Sequence, residues 1–460
     1  MHKNSIKLIT SAILLELGLS PLKAATITVD NNTCVLADAI TSANTDTATN
    51  GCDAGVGADE IVLPQNSTIS LTNALPSVTS EITLQGNGSI IERDASAVDN
   101  FRILTVVNAP QPVRAEGRGV VGPAVSSLTA NDVTLSNGVL DGNAGGGANC
   151  YGPANTLTLN NSTVSNNTGG GISVIYCSLN INNSVIQNNT GLDEEYYGAG
   201  VNVTSGSFFI MDTTITGNIN QATSAGGGGI YLTDYSGPMG GYIQNTTISG
   251  NVAEQSGGGI AFVDYGNGAT FSVTNSSITN NTSITGAGGG ISMGGQTAIV
   301  ESSTITGNSA ATDGGGIAVN DNAYVDMARN IVTGNSAASS GNELNVTAAG
   351  SIELDEFNIF GQNNMPGLSG VTGGLTDIVP TVPVNAIISP LADNGGPTHT
   401  HALPAGSPAI DAVDSGSICI PTDQRGEARP ADGDNNGEAL CDIGSFEASN
   451  PDVIFINGFD

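Results

Sequence analysis

The 460-residue chain contains no tryptophan and few basic residues. Lysine occurs only at Lys3, Lys7 and Lys23, so the chain beyond residue 23 has seven arginines and no lysine. Acidic residues number 42 against 10 basic ones, which gives a formal net charge of −32. A surface this negative repels phosphate backbones, so nucleic acid is not an expected partner. Acidity also keeps a protein soluble, so the charge alone does not identify a ligand.

Long apolar runs are scarce as well. Residues 1–24 have a basic start, a short apolar run over residues 8–19 and a small-residue pair, Ala24-Ala25. This pattern predicts a secretory signal peptide, and a buried N-terminal helix is the alternative. No later run approaches the roughly 18 apolar residues of a membrane-spanning helix. We therefore expect an exported protein at the cell surface, the outer membrane or outside the cell, without a transmembrane helix.

Cysteine is limited to six residues, with no spacing typical of a zinc site. An even number of cysteines in an exported chain indicates disulfide bonds. Sequence alone allows about fifteen connectivities. We favour the pairs that are local in sequence, which are Cys34 with Cys52, Cys150 with Cys177, and Cys419 with Cys441.

Glycine, by contrast, is abundant, with 63 residues, and it recurs in blocks that each end in an aliphatic residue. Successive block ends are 29, 29, 30, 31 and 26 residues apart. They are Ile172, Val201, Ile230, Ile260, Ile291 and Ile317. A second motif, a short β-branched run closed by Asn, recurs between them. Its final residues are Asn167, Asn189, Asn218, Asn251, Asn281, Asn308 and Asn335. Such a period indicates stacked units that cannot bury their apolar faces alone.

Within a unit, apolar and polar residues alternate as in GISVIYCSLNINNSVI, and no helical period is present. The pattern predicts an all-β chain folded as a right-handed parallel β-helix, with equivalent residues stacked ~4.8 Å apart. The block-end residues should form one inward ladder. A second ladder should contain Ile215, Ile248, Ile278, Ile305 and Ile331. We expect the asparagines to hydrogen-bond along the turn, and the glycines to serve sharp turns where adjacent backbones pass closely.

The ends of the chain depart from the repeat. Residues 34–44 carry apolar side chains at helical spacing, which predicts a short amphipathic helix that caps the solenoid. We divide the chain into an N-terminal cap (25–58), β-helix repeats (59–350), a small C-terminal module (351–447) and a terminal tail (448–460). A proline-containing stretch that interrupts the pattern, residues 108–127, is predicted to be a loop inserted in the helix.

Several stretches resemble known exported bacterial proteins. Residues 33–64, TCVLADAITSANTDTATNGCDAGVGADEIVLP, resemble the CSLREA domain, with Ala37 and Asp38 where that family has Arg and Glu. The repeats resemble those of polymorphic outer membrane proteins. HALPAGSPAIDA, TDQRGEARP and CDIGSFE are similar to the choice-of-anchor Q domain of surface proteins. The resemblance implies a surface or extracellular protein with a pectin-lyase-like β-helix, a fold that in these families typically has no assigned catalysis.

The last residues, PDVIFINGFD, resemble the terminal IF-x-x-GF-acid tags of some exported proteins, which implies a sorting tag. A final edge strand is the alternative. Together these patterns favour a non-enzymatic surface protein that serves adhesion or glycan binding, with a glycan or a host or surface protein as partner. A polysaccharide-degrading hydrolase or lyase is the alternative, and a structural stalk is the second alternative. Nothing in the sequence indicates the oligomeric state.

Acidic and aromatic residues follow the glycine blocks at one position. Four residues after the block ends lies a column that contains Asp234, Asp264 and Asp321. Adjacent carboxylates in this column would lie ~5 Å apart, close to the separation in a retaining glycosidase. These are the candidate catalytic residues, with ordinary turn residues as the alternative. Nearby tyrosines are the candidates for sugar stacking, and they are Tyr235, Tyr265, Tyr196 and Tyr197.

Basic residues are almost absent from the same region. Arg329 is the only arginine between Gly119 and Gln424, and the segment contains no lysine. A lyase that acts on an acidic polysaccharide needs a base and cations for the substrate carboxylates. The negative charge of the chain would also repel such a substrate, and a neutral glycan remains open as a substrate or ligand.

One stretch near the C-terminus, DGDNNGEALCD, is a candidate calcium site. It places Asp432, Asp434 and Asn436 at positions 1, 3 and 5 of an EF-hand-like loop, with glycine at position 6. Position 12 is Ile443, and Asp442 precedes it. We therefore expect Asp432, Asp434, Asn436 and Asp442 to bind Ca²⁺, and an acidic surface turn is the alternative.

Overall fold

The computed structural model describes residues 24–108, 125–140, 145–192, 198–224, 226–235, 239–264, 268–295, 297–347 and 349–449. The predicted signal peptide, most of the predicted inserted loop and nearly all of the predicted tail lie outside these residues. The described chain forms the predicted right-handed parallel β-helix, in which strands of successive coils pair in three sheets.

The first and longest sheet runs along two faces of the helix. Its 21 strands are Thr26–Thr28, Asp59–Val62, Thr68–Leu71, Glu81–Arg93, Ser127–Ser136, Thr156–Asn160, Thr163–Ser165, Ser178–Asn182, Val185–Gln187, Phe208–Met211, Thr214–Thr216, Gly240–Gln244, Thr247–Ser249, Thr270–Thr274, Ser277–Thr279, Thr297–Glu301, Thr304–Thr306, Tyr324–Ala328, Ile331–Thr333, Ser351–Glu356 and Ile359–Phe360.

In the second sheet, most strands begin directly after a glycine block. Its 10 strands are Leu104–Val107, Ala148–Tyr151, Ile172–Ile175, Val201–Thr204, Ile230–Asp234, Ile260–Asp264, Ile291–Gly294, Ile317–Asn320, Leu344–Val346 and Leu368–Ser369. The third sheet has six short strands, which are Thr190–Gly191, Ile219–Asn220, Val252–Ala253, Thr282–Ser283, Ser309–Ala310 and Ser336–Ala337. Sheet pairing therefore continues past residue 350 into the segment assigned to the C-terminal module.

The block-end ladder is confirmed. Ile172, Val201, Ile230, Ile260, Ile291 and Ile317 are paired in register along the second sheet, and all are fully buried. Each fully buried aliphatic side chain contributes roughly 1.5–3 kcal/mol relative to its exposed state. This continuous apolar column is therefore a main source of the stability of the helix.

The second ladder is confirmed for four of its five members. Ile215, Ile248, Ile278 and Ile305 stack in register, but Ile305 pairs with Val332, and Ile331 pairs with Thr304. The prediction for Ile331 is wrong by one residue, which turns its side chain to the outer face. The stretch IVTGN is apolar at both positions, so the alternation did not distinguish them. Ile331 is nevertheless buried, because the C-terminal module covers that face.

The stacked asparagines hydrogen-bond as predicted. Each Nδ2 donates to Oδ1 of the next asparagine at 2.9–3.0 Å, through all seven residues from Asn167 to Asn335. Each backbone N–H also donates to the same Oδ1 at 2.9–3.0 Å. The asparagines thus satisfy buried backbone groups at the turn, where a sheet ladder cannot.

The glycines of each block are required for two separate structural reasons. The first glycine of a block is left-handed, with φ of 73° at Gly257 and 68° at Gly288. The next two are not, but a Cβ atom at Gly258 would lie 2.5 Å from the carbonyl oxygen of Gly289, and one at Gly259 would lie 2.6 Å from that of Gly290. One glycine therefore makes the turn, and two allow adjacent coils to pass closely.

The predicted capping helix is present as Leu36–Thr45, with Leu36, Ala39, Ile40 and Ala43 on its buried face. The three predicted disulfides are present, and they join Cys34 to Cys52, Cys150 to Cys177, and Cys419 to Cys441. Among the described residues, no helix has both the length and the apolar character required to cross a bilayer.

The C-terminal module folds back along the outside of the first sheet. It contains a 3₁₀ helix, Val384–Ala386, and an antiparallel pair, Leu391–Ala392 with Thr400–His401. Gln424 accepts a hydrogen bond from Ser277 at 2.7 Å and donates one to Thr247 at 2.9 Å. Further along, the hydroxyl of Ser445 bonds to that of Thr304 at 3.1 Å. The module therefore covers the outward column Thr247, Ser277, Thr304 and Ile331.

Candidate functional site

The acidic column is assembled as predicted only in part. Asp234 and Asp264 are paired residues on adjacent strands, and Asp321 lies two coils beyond Asp264. Asp234 is completely buried, and its two carboxylate oxygens accept hydrogen bonds from the Ser205 hydroxyl and the Met239 N–H at 3.3 Å each. Asp321 lies at an exposed left-handed turn, with φ of 49°. A substrate would meet Asp321 but not Asp234, so the three carboxylates do not form one accessible cluster.

Of the four predicted tyrosine candidates, only Tyr235 lies within the described residues. Its side chain is 48% exposed at the end of the strand Ile230–Asp234, and its N–H donates to the Ser205 hydroxyl at 2.9 Å. Tyr265, Tyr196 and Tyr197 lie outside the described residues. Tyr235 thus marks the edge where second-sheet strands end.

Two other tyrosines, which the sequence analysis did not single out, lie at the same edge. Tyr151 is 53% exposed and Tyr176 is 38% exposed, and their ring centroids are 6.4 Å apart with the planes 75° apart. Tyr151 pairs with Ile175, so the two tyrosines come from adjacent coils. We call Tyr151, Tyr176 and Tyr235 the tyrosine corner.

The covalent structure fixes this aromatic pair. Cys150 and Cys177 each neighbour one of the two tyrosines in sequence, and the disulfide between them joins the two coils at that point. Tyr176 is also left-handed, with φ of 62°, which is a conformation that non-glycine residues seldom adopt. A disulfide next to each ring keeps the exposed surface preorganised, which lowers the entropic cost of binding. The sequence feature that could have revealed this pair is that each tyrosine lies directly beside a cysteine, as Cys-Tyr in one coil and as Tyr-Cys in the next.

The structure brings together two of the four predicted calcium ligands and adds a carboxylate that was not predicted. Asp432 and Asp434 lie together as expected, and the third carboxylate is Asp411, with one oxygen of each within 4.8 Å of the others. Oxygen ligands at 2.3–2.6 Å from Ca²⁺ are consistent with such separations. Burial, and further the charge of Asp434, raise the pKa of Asp411. Three converging carboxylates fit a divalent cation, because a cation relieves their mutual repulsion.

Asn436 and Asp442 depart from the predicted ligand set in different ways. The Asn436 amide donates to Asp434 at 3.0 Å and its Oδ1 accepts from the Glu438 N–H at 2.8 Å, so it belongs to the acidic turn. Asp442 does not belong to the carboxylate group of Asp411, Asp432 and Asp434. It is fully buried and accepts hydrogen bonds from the N–H groups of Asp411 and Ala448 at 2.7 and 2.5 Å.

The motifs TDQRGEARP and CDIGSFE form one buried ionic network. Arg425 pairs with Asp423 at 2.7 Å and lies over the ring of Phe446 at 3.6 Å. Arg429 lies 3.5 Å from Glu447, and its guanidinium also donates to the backbone of Asp442 at 2.8 Å. Burial, with the nearby Glu447 carboxylate, raises the pKa of Asp442 to about 8. These side chains hold the module together and are inaccessible to a ligand.

Comparison with known proteins gives little beyond the fold. No family model matches the chain, and no curated protein matches it. Among solved structures, the chain is similar to pectate lyase Pel9A, at 13% sequence identity and a TM-score of 0.44, over 86% of this chain and 89% of that one. At that identity and TM-score, the likeness carries no argument about activity.

Proposed function

We propose that this chain is an exported, non-enzymatic surface protein whose tyrosine corner binds glycans. The observation that carries the proposal is the exposed pair Tyr151 and Tyr176, held by the adjacent Cys150–Cys177 disulfide. Exposed tyrosine rings offer both an apolar face for the C–H surface of a sugar and a hydroxyl for hydrogen bonds. Preorganised aromatic anchors are typical of binding hot spots.

Export is supported by the three disulfides, because such bonds persist in oxidising compartments. Binding is favoured over cleavage because Asp234 is buried and already hydrogen-bonded, and Asp321 is two coils away from Asp264. A neutral or cationic glycan suits the net charge of −32 better than an acidic one.

The test is a binding assay on immobilised neutral, basic and acidic polysaccharides with the full chain. We expect the protein to bind at least one neutral or basic polymer. The double variant Tyr151→Ala/Tyr176→Ala should reduce affinity about tenfold or more, because truncation of aromatic hot spots costs at least about 2 kcal/mol.

The matched control is Tyr242→Ala, since Tyr242 packs against Phe209 on the first sheet, at 5.0 Å between ring centroids. It should retain the affinity of the unmodified protein. Unchanged binding in the double variant, or an equal loss in both variants, would refute the tyrosine corner as the binding surface.

A further inference from the structure

A groove of about 490 Å³ lies between the outer face of the first sheet and the C-terminal module. The helix contributes charged residues from three successive coils to its wall, and residues 416–418 of the module form the opposite side. The charged lining residues are Glu301, Asp326, Arg329 and Glu356. The groove exists only because the module folds back on the helix.

The register of the strands places two glutamate carboxylates within hydrogen-bonding distance of one arginine. Glu301 pairs with Ala328, and Ala328 pairs with Glu356, so the two glutamates occupy one column two coils apart. Arg329 donates through Nη2 to Oε1 of Glu301 and through Nη1 to Oε2 of Glu356 at 3.3 Å. Each glutamate retains one carboxylate oxygen outside these bonds. With Asp326, the groove holds three carboxylates and one guanidinium, a formal charge of about −2.

Arg329 is also incompletely satisfied. Its residue exposure is 8%, and its buried Nε has no hydrogen-bond partner among the described residues. An unmatched buried donor is costly, and a small shift of the guanidinium that brings this Nε into contact with an oxygen of a ligand would reduce that cost. Arg329 is the only arginine between Gly119 and Gln424, a segment without lysine, and it lies in this groove.

Apolar surface flanks the charged floor. Ile299 is 44% exposed and Ile418 is 86% exposed, and both line the groove. Ile418 precedes Cys419, whose disulfide to Cys441 fixes the end of this loop. The groove therefore combines fixed acceptors, one donor in need of an acceptor, and two aliphatic side chains.

We propose that this groove binds a protonated amino sugar of an oligosaccharide, an inference that rests on the proposed glycan-binding function and adds to it a second site, separate from the tyrosine corner. The ammonium group bonds to the free oxygens of Glu301 and Glu356. Hydroxyl oxygens of the sugar supply acceptors for Arg329, and the C–H face of the ring packs on Ile299 and Ile418. A lysine side chain supplies the charge but has no acceptor close to its ammonium group, because the peptide carbonyls lie beyond a flexible chain of methylene groups. An acidic sugar is repelled by the groove and by the whole chain.

The test is calorimetric titration of the full chain at fixed ionic strength with four probes. These are the tetramers of glucosamine, N-acetylglucosamine and galacturonic acid, and tetralysine. We expect the glucosamine tetramer to bind at least about tenfold more tightly than the other three. Glu301→Gln/Glu356→Gln should weaken it about tenfold or more, since each bond to a charged group contributes about 1.5–3 kcal/mol.

The matched control is Asp53→Asn/Glu81→Gln, which removes the same charge from two exposed positions away from the groove. It should keep the affinity within about twofold, because surface charge acts weakly at a distance. Ile418→Ala, at an exposed side chain whose loss leaves the fold intact, should weaken glucosamine binding several-fold. This variant keeps the proposal testable if the glutamine double variant does not fold.

The outcomes separate this inference from the tyrosine corner. Glucosamine binding that survives in Tyr151→Ala/Tyr176→Ala and fails in the groove variants supports a distinct amino-sugar site. Loss of all glycan binding in the tyrosine variant alone overturns the groove proposal and leaves the proposed function standing. Equal binding of tetralysine, with the same dependence on Glu301 and Glu356, overturns it in favour of a general cation or basic-peptide site.

Discussion

Each column of stacked amides needs a residue that closes it, and in this chain that residue is a carboxylate. Glu343 accepts hydrogen bonds from the N–H and the Nδ2 of Asn335 at 3.1 and 2.7 Å. In a neighbouring column, Asp377 accepts from the N–H and the Nδ2 of Asn358 at 2.9 and 3.1 Å. The last asparagine has two donors and no further asparagine on the following coil to accept them, so an acceptor-only side chain terminates the stack.

The first prediction concerns Glu343, which is 3% exposed. Burial raises its pKa to about 7 from the ordinary value of 4.5. Between these two values the folded chain keeps a proton that the unfolded chain has lost, so each rise in pH in this window favours unfolding. The stabilisation of the folded chain that results from this raised pKa is fully present below pH 4.5 and is lost by about pH 7. It amounts to roughly 3 kcal/mol at most.

Urea unfolding of the protein and of Glu343→Gln between pH 4.5 and 8 measures this contribution. The difference in free energy of unfolding between the two proteins should change across that window and level off above it. A difference that is constant with pH would show that Glu343 does not titrate there. Other carboxylates act on both proteins equally, so they cancel in the comparison.

Single residues also mark the limit of sequence-based prediction. Glu343 and Asp377 lie outside the repeat motif, and a carboxylate that closes a buried column looks the same in sequence as one on the surface. The aromatic pair of Tyr151 and Tyr176 was missed for a related reason, because the two residues occupy neighbouring columns and share no periodic position. Their contact depends on the disulfide between the flanking cysteines.

Within one coil, one glycine makes the turn, and different glycines allow the backbones of adjacent coils to pass closely. The repeat period was sufficient to predict the strands, the block-end ladder and the asparagine ladder, because each depends on residues spaced by one coil. It failed at Ile331, where two adjacent apolar residues leave the register undetermined. The burial of Ile331 depends on residues more than 50 positions away in sequence, which no local pattern reports.

The second prediction compares two glycines that differ in surroundings. Gly258→Ala places a Cβ atom 2.5 Å from the Gly289 carbonyl oxygen and 2.5 Å from the backbone of Thr282, so the coils must separate. Gly268 is left-handed, with φ of 77°, but nothing lies within 4 Å of its Cβ position. We expect a loss of about 3 kcal/mol at Gly258 and about 1–2 kcal/mol at Gly268. Thermal unfolding of both variants checks this order, and the reverse order would contradict the role assigned to the second glycine.

Across the whole molecule, the C-terminal module is joined to the helix through polar contacts that span long sequence separations. Gln424 contacts Ser277 and Thr247, which precede it by 147 and 177 residues. The sequence motifs predict the module but not its position, since no periodicity links Gln424 to those strands. The groove beneath residues 416–418 depends on that placement, and the acidic turn depends on the packing within the module.

The third prediction concerns Ca²⁺ at the acidic turn. Added at about 1 mM, a level typical of extracellular calcium modules, Ca²⁺ should raise the melting temperature of the protein by a few degrees. Asp432→Asn/Asp434→Asn should abolish the rise, because it leaves Asp411 as the only carboxylate of the cluster. The variant Asp53→Asn/Glu81→Gln, with the same loss of charge, should keep it. No rise in the unmodified protein, or an equal rise in both variants, would identify the turn as an ordinary acidic surface.

One assay distinguishes a glycan-binding protein from a polysaccharide-degrading enzyme by scoring binding and cleavage in the same sample. The purified protein is incubated with neutral, basic and acidic polysaccharides, with and without Ca²⁺, and both the protein retained on the polymer and the new chain ends are measured. We expect the protein to be retained on a neutral or basic polymer without the appearance of new chain ends. New ends that disappear in Asp234→Asn/Asp264→Asn would contradict this expectation and make the protein a polysaccharide-degrading enzyme.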